Sequence, residues 1–301
     1  MVNKFFFILS SILSVSCGII GEDAAVVPAY IAIDTFYFET DDITQGSNSQ
    51  DFKDMWISNK GLPLGAIGIP TLIPVQASGN TEIRIDAGVI NTGQNNERIN
   101  YPLMATFVET RNLIPGKIDT FTPVFKYLQN IEMAFIEDYD RVGTNFIINP
   151  TYYLPGDTVM KVADTRLGRS ASNSGKVILA PQHQLLQLIA GGPRDAQNNY
   201  EGYALSSPGG PVFLEIDYNS NLPVDIGYYY IDPITQLTSR LNSVVQTFPT
   251  SGQWKKLYID LTDEVASKRA GTRFIFYIGV LNFENSTPEI FLDDIKLIYL
   301  K

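Results

Sequence analysis

Val212-Phe213-Leu214-Glu215-Ile216-Asp217-Tyr218 is the stretch that decides the fold. A strand sends successive side chains to opposite faces. Val212, Leu214, Ile216 and Tyr218 therefore share one face, which must be core, and Phe213, Glu215 and Asp217 share the other. The same period of two returns in Gln253-Trp254-Lys255-Lys256-Leu257-Tyr258-Ile259-Asp260-Leu261. There Leu257, Ile259 and Leu261 point inward while Tyr258 and Asp260 point outward. In Ile226-Gly227-Tyr228-Tyr229-Tyr230, two tyrosine sets oppose each other, and parity alone leaves open which is outside. Short alternating runs separated by Gly, Pro, Asn and Asp dominate the chain, and helical periodicity is scarce. The 16 Tyr and 17 Phe suit sheets. The reading is all-β.

Working toward the N-terminus, Ala29–Phe38 alternates, Asp41–Gln50 is a polar loop, and Met55-Trp56-Ile57 meets a Ser58-Asn59-Lys60-Gly61 turn. A further clean alternation, Thr81 to Ala87, ends on Gly88. Trp56 to Gly88 resembles a PEGA-like module, a small immunoglobulin-like sandwich, in its Gly61 hairpin, Gly65, Ile69-Pro70 step, Gly79 turn and closing Gly88. The Pro-Glu-Gly-Ala string itself is absent. From about Phe125 the pattern restarts. The blocks at 212–218, 226–230 and 253–261, with the closing Phe291-Leu292-Asp293-Asp294-Ile295-Lys296-Leu297, resemble a carbohydrate-binding-module-type jelly roll. A jelly roll packs two sheets so that each hides one face. The expected order is an immunoglobulin-like sandwich over 29–125 followed by a jelly-roll β-sandwich over 126–301.

Composition limits the function. The chain has 301 residues, 45% hydrophobic, with 22 basic and 32 acidic side chains for a net charge of −10. Such an acidic chain repels nucleic acid, so none is expected as a partner. The single His183 has no second histidine to share a zinc, no Gly-x-Ser-x-Gly occurs, and His183 reads as a strand residue. Gly191-Gly192-Pro193 and Gly209-Gly210-Pro211 read as turns rather than phosphate loops. The chain is read as no enzyme. A glycosidase, needing only two carboxylates, is the one hydrolase class the composition leaves open.

The only cysteine, Cys17, follows Lys4, an apolar Phe5–Val15 run and the small residues Ser14-Val15-Ser16. A positive start, an apolar middle and a small-residue end form an export leader. The run is too short to span a bilayer, which takes about 20 apolar residues. Ser16-Cys17-Gly18 resembles a lipobox of the Bacteroidetes type, with Leu13 one place early. The resemblance implies a signal peptide over 1–16, acylation of Cys17, a tether over 17–28, and an outer-membrane address with the cell surface favoured over the periplasmic face. Loss of Lys4 leaves 21 basic against 32 acidic residues, or −11. Asp157-Thr158-Val159 resembles an O-glycosylation site of the same organisms.

These readings nominate sites. If neighbouring strands align, Glu215, Tyr229 and Tyr258 form a glycan-binding face, since rings stack on sugars and carboxylates accept from hydroxyls. Asp293 shares parity with Ile295 and Leu297 and so points into the core, where a carboxylate needs a partner. The jelly-roll resemblance implies a structural calcium there, with Glu137 or Asp138 as the second ligand. The expected function is a lipid-anchored, noncatalytic outer-membrane binding protein with a glycan or protein ligand. The alternative is a structural accessory subunit of an outer-membrane secretion or protein-assembly complex. Loops 41–52 and 164–176 suit either.

Overall fold

The computed structural model describes residues 27–91, 97–163, 166, 172–205, 209–283 and 286–301. Cys17, the leader and most of the tether lie outside them, as does most of the 164–176 loop.

The first ten strands are β1 (Ala29–Ile33), β2 (Tyr37–Phe38), β3 (Asp54–Asn59), β4 (Leu62–Ile67), β5 (Thr71–Val75), β6 (Gly79–Asn91), β7 (Glu97–Asn100), β8 (Phe107–Leu113), β9 (Ile118–Thr120) and β10 (Val124–Phe125). Twelve more follow: β11 (Ile131–Glu137), β12 (Ile147–Ile148), β13 (Thr158–Ala163), β14 (Asn173–Ile178), β15 (Leu185–Ala190), β16 (Tyr203–Ala204), β17 (Val212–Ser220), β18 (Val224–Ile231), β19 (Asn242–Gln246), β20 (Lys255–Asp260), β21 (Arg273–Leu281) and β22 (Ile290–Leu300). One short α-helix, α1 (Thr262–Ala266), sits between β20 and β21. The all-β class expected from the alternation is what forms.

The C-terminal portion is a two-sheet sandwich. One layer is the six-stranded sheet β12-β15-β21-β18-β19, with β16 also on β21. The facing layer is β13-β14-β22-β17-β20, with β11 beside β14 on the same edge of β22. Between them lie Val212, Leu214, Ile216 and Tyr218 of β17, Leu257 and Ile259 of β20, and Leu186, Ile226, Phe276 and Ile278 of the six-stranded sheet. The inward parity read from the sequence holds at each of the β17 and β20 positions.

The second layer does not stop at β20. Tyr258 pairs in parallel with Asn91 of β6, and the sheet runs on through β6, β3 and β4 to eleven strands. The N-terminal core includes Met55, Ile57, Ile83, Ile85, Tyr101, Phe121 and Phe125, but also Phe213, Tyr258 and Ile298 from the C-terminal strands. Its far side is closed by the small sheet β5-β1-β9 through Ile31, Ile33, Ile73 and Val75. The molecule is therefore layered: six-stranded sheet, core, eleven-stranded sheet, second core, three-stranded sheet. The N- and C-terminal portions share both a sheet and a core.

β22 carries a bulge. Ile290 and Leu292 lie in the first core, and so do Ile295, Leu297 and Tyr299. Two residues, not one, separate Leu292 from Ile295, and the register with β17 shifts between Glu215 and Asp217. Asp294 takes a positive φ of 45°. An extra residue inserted this way bends the strand and re-aims its side chains. The bulge corrects the expectation for Asp293: it pairs with Asp217 and shares the outer face with it.

Candidate functional site

The three residues nominated as a glycan-binding face do not come together. Glu215 and Tyr258 are opposite each other on β17 and β20, as alignment required, but their face is not solvent. It is the floor of the second core, and both are almost fully buried. The parity reading holds; what covers that face comes from residues more than eighty positions away. Tyr101 donates its phenol to Glu215 Oε1 at 2.6 Å and Tyr127 donates to the same oxygen at 3.0 Å. Asp51 N–H donates to the Tyr258 hydroxyl at 3.0 Å. Tyr229 lies on the other sheet.

Glu215 belongs to a buried charge cluster that closes the junction. Lys256 Nζ lies 3.1 Å from Glu215 Oε2 and 3.2 Å from Asp217 Oδ1. Arg166 bridges Asp217 and Asp293 and sits 3.3 Å from Asp294. Lys296, fully buried, donates to Ser47 O at 2.6 Å. Ser47 donates to Asp294 Oδ1 at 2.6 Å, and Ser49 donates to Asp217. The polar 41–52 loop is thus a lid over charges, not a free contact loop. Burial favours the neutral form of Glu215, but Lys256 and Lys296 outweigh it and hold its pKa below the usual carboxylate value. Burial likewise opposes the charge on Lys256, yet Asp217 and Glu215 raise its pKa well above the ordinary lysine value. Burial dominates at Lys296, which falls to about 8.

This arrangement also answers the calcium expectation. Asp293 takes Arg166 as its partner. Glu137 accepts from the Thr144 hydroxyl at 2.8 Å and from the backbone N–H of Asn145 and Tyr139. Both carboxylates of the nominated pair already have protein donors, and Asp138 pairs with Arg141 at 2.9 Å. Among the described residues, no group of three or more His, Cys, Asp or Glu is arranged to hold a metal. His183 is not a strand residue. It lies in the turn before β15, buried, with Nδ1 2.9 Å from Asp157 Oδ1, and Asp157 also accepts from the N–H of Ala180 and Leu154. Asp157 in the Asp157-Thr158-Val159 string is therefore a structural anchor, while Thr158 is exposed at the start of β13.

The cleft with binding chemistry lies on the outer face of the six-stranded sheet. There Tyr229 and Ile231 of β18, Ile189 of β15 and Ile275 of β21 face away from the core. Parity left two tyrosine sets open; the structure puts Tyr228 in the core and Tyr229 outside. Three connections wall the face: the turn at Pro150–Tyr152, the β15–β16 loop with Arg194 and Tyr200, and the β18–β19 loop with Gln236 and Leu237. They enclose about 970 Å³. Tyr229 donates to Gln187 Oε1 at 2.9 Å, and the Asn149 amide donates to the same oxygen. Arg194 lies 4.0 Å over the Tyr200 ring and donates to its hydroxyl at 2.7 Å. The Tyr200 ring itself rests on Gly191, where a Cβ would come within 2.5 Å of it. Arg273 donates to Gly202 O at 3.2 Å with Glu201 4.0 Å away. Burial raises the phenol pKa of Tyr229 and, against the pull of Arg194, that of Tyr200, so both remain neutral donors at physiological pH.

The walls came from parts of the sequence with no pattern of their own. Tyr152 closes a one-turn 3-10 helix, Pro150–Tyr152, and Tyr200 sits in the β15–β16 loop. One usable signal was Gln187, a lone amide inside Leu185-Leu186-Gln187-Leu188-Ile189, which marks a strand whose second face meets something polar.

A second cleft, about 790 Å³, opens at the junction beside Trp254, Phe248, Lys53 and Gln246. Its aromatic platform is taken up: the Arg166 guanidinium lies 4.4 Å over the Trp254 ring.

No protein-family model matches the chain, and no curated protein does. Several solved structures show partial likeness. The carbohydrate-binding and xylanase modules of Clostridium thermocellum xylanase 10B, complexed with xylohexaose, match at 11% identity and a TM-score of 0.38, over 56% of this chain and 28% of that one. The xylan-binding domain of Paenibacillus barcinonensis Xyn10C matches at 10% identity and 0.37, over 58% and 98%. A carbohydrate-binding module of the β-sandwich superfamily matches at 12% identity and 0.37, over 81% and 84%. The chain spans little more than a quarter of the xylanase 10B structure. None of these likenesses assigns a ligand to this chain.

Proposed function

We propose that this chain is a noncatalytic saccharide-binding protein, acylated at Cys17 and held at the outer membrane, with its ligand in the cleft over the six-stranded sheet. The observation that carries the reading is the lining of that cleft. Tyr152 and Tyr229 offer ring faces for the apolar side of a sugar, Tyr200 walls the cleft beneath Arg194, and Asn149, Gln236 and Arg273 offer hydrogen-bonding groups for its hydroxyls. Arg194 and Arg273 balance Asp195 and Glu201 in formal charge, which suits a neutral saccharide. A general acid is disfavoured at Asp195, because the Asn199 backbone N–H holds its pKa below the usual carboxylate value. Glu201 faces Arg273 across 4.0 Å.

A glycan array, followed by titration calorimetry on any hit, tests the site. Tyr229→Ala should weaken binding by about tenfold or more, given the 0.5–1.5 kcal/mol of an aromatic contact and the loss of its buried area. Retained affinity in both Tyr229→Ala and Tyr200→Ala removes the cleft as the site. Anchoring is tested apart from binding, by mass spectrometry of the N-terminal peptide from protein made in its own host. An unmodified Cys17 on an uncleaved leader would reject it.

A further inference from the structure

The three-stranded sheet β5-β1-β9 covers the second core with one face and leaves the other open. Register sets Tyr30 between Pro74 and Ile118, and Ala32 between Leu72 and Thr120, on the open face. None of these six residues is charged, in a chain of net charge −10. Leu72 is 53% exposed and Ile118 is 60% exposed. The patch continues past the sheet end. Gly116 N–H donates to Pro28 O at 2.8 Å, which brings the turn carrying exposed Ile114 beside exposed Val27. Contiguous exposed apolar surface of this kind marks a contact with a partner or a membrane.

The chain leaves the described structure at this patch. Nine residues lie between Cys17 and Val27, and the ten steps along the chain, at about 3.3–3.6 Å each, reach no more than about 35 Å. A thiol acylated in a bilayer thus keeps Val27, at the edge of this face, within that distance of the bilayer surface, and an uncharged face is the part of an acidic chain that anionic headgroups repel least. Tyr30, with an apolar ring and a polar tip, suits an interface between hydrocarbon and water. The layer order agrees: the saccharide cleft lies on the outermost face at the other side of both cores.

We infer that the open face of β5-β1-β9 rests on the lipid surface of the membrane that holds Cys17, directing the cleft away from it. This rests on the acylation proposed above. The test separates the two. The mature chain has one thiol, so coupling Cys17 to a maleimide lipid in phosphatidylcholine vesicles imposes the tether whatever the host does. Coupling to a soluble maleimide gives the control. Hydroxyl-radical footprinting read by mass spectrometry should show oxidation of Tyr30, Leu72 and Ile118 reduced about threefold or more on vesicles, as interfacial burial requires. Phe248 and Leu237, remote from the patch, should be unchanged. Leu72→Glu with Ile118→Glu, both exposed positions, should restore oxidation of Tyr30 on vesicles. Equal oxidation of the patch in the vesicle and soluble samples overturns the inference. Protection that appears in the soluble control as protein concentration rises assigns the face to a second copy and overturns it too. An unacylated Cys17 in the host peptide map overturns the anchoring while leaving the vesicle result to judge the surface.

Discussion

Replacing Lys256 by Met measures what the junction is worth. The Lys256 side chain is 3% exposed and bridges Glu215 and Asp217. Among the described residues the cluster holds four carboxylates, Glu215, Asp217, Asp293 and Asp294, against three cations, Arg166, Lys256 and Lys296. Methionine keeps most of the apolar stem, so little packing is lost and the change is mainly electrostatic. Four buried carboxylates would then face two cations. Removing one partner of a buried pair costs about 3–5 kcal/mol, because the other charge is left uncompensated. That corresponds to a loss of roughly two to three and a half decades in the folding equilibrium constant. Urea unfolding followed by fluorescence suits the measurement: Trp56 reports from β3 and Trp254 from the start of β20. Both should report one transition at one lowered midpoint, since the cluster ties both portions together. The sign with pH is fixed. The raised Lys256 contributes fully below the ordinary lysine pKa of 10.5 and is lost only as pH climbs through its higher folded value. The lowered Glu215 contributes above 4.5 and is lost as pH falls through its folded value. The gap between the two proteins should therefore be widest from about pH 5 to 10. Adding Glu215→Gln to the variant should return about 1–3 kcal/mol, the coupling expected of direct partners. A loss below about 1 kcal/mol for Lys256→Met would refute the reasoning, because it would rank the pair with solvated surface bridges.

Other outcomes follow from the same packing. Lys296 runs the opposite way: its pKa of about 8 lies below the ordinary 10.5, so the unfolded chain binds more protons between those values and stability should rise with pH there. The rise is bounded at about 3 kcal/mol. It should end above pH 10, where the raised phenol pKa values of Tyr101, Tyr127 and Tyr258 make the unfolded state the easier one to deprotonate; denaturation midpoints across pH 7–11, with Lys296→Met as the control that lacks the rise and keeps the fall, check this. Gly191→Ala should displace the Tyr200 ring and weaken any saccharide about tenfold with a smaller effect on Tm, read by calorimetry and thermal melts. Residues 126–301 alone should fail to give a cooperative melt, because Phe213, Tyr258 and Ile298 would be stripped of their core and the charge cluster of its lid. A sharp transition from that fragment would show the first core to be self-sufficient.

The alternation in 212–218 and 257–261 determined by itself that the chain is all-β and which side chains enter the first core, because the period of two is a local property of a strand. The run at 226–230 likewise put Tyr229 on a strand. Alternation could not say what lies against the second face of a sheet. Glu215 and Tyr258 were correctly set outward, yet outward turned out to mean toward another core, since the covering residues Tyr101, Tyr127 and the Ser47–Asp51 loop arrive from distant sequence. Asp293 illustrates a different loss. One inserted residue reverses the parity of everything beyond it, and Asp294 is an ordinary aspartate until its neighbours fix a positive φ. The cleft belongs wholly to tertiary structure: three connections without periodicity converge over one sheet face, and only the register of the strands beneath them decides which side chains meet there.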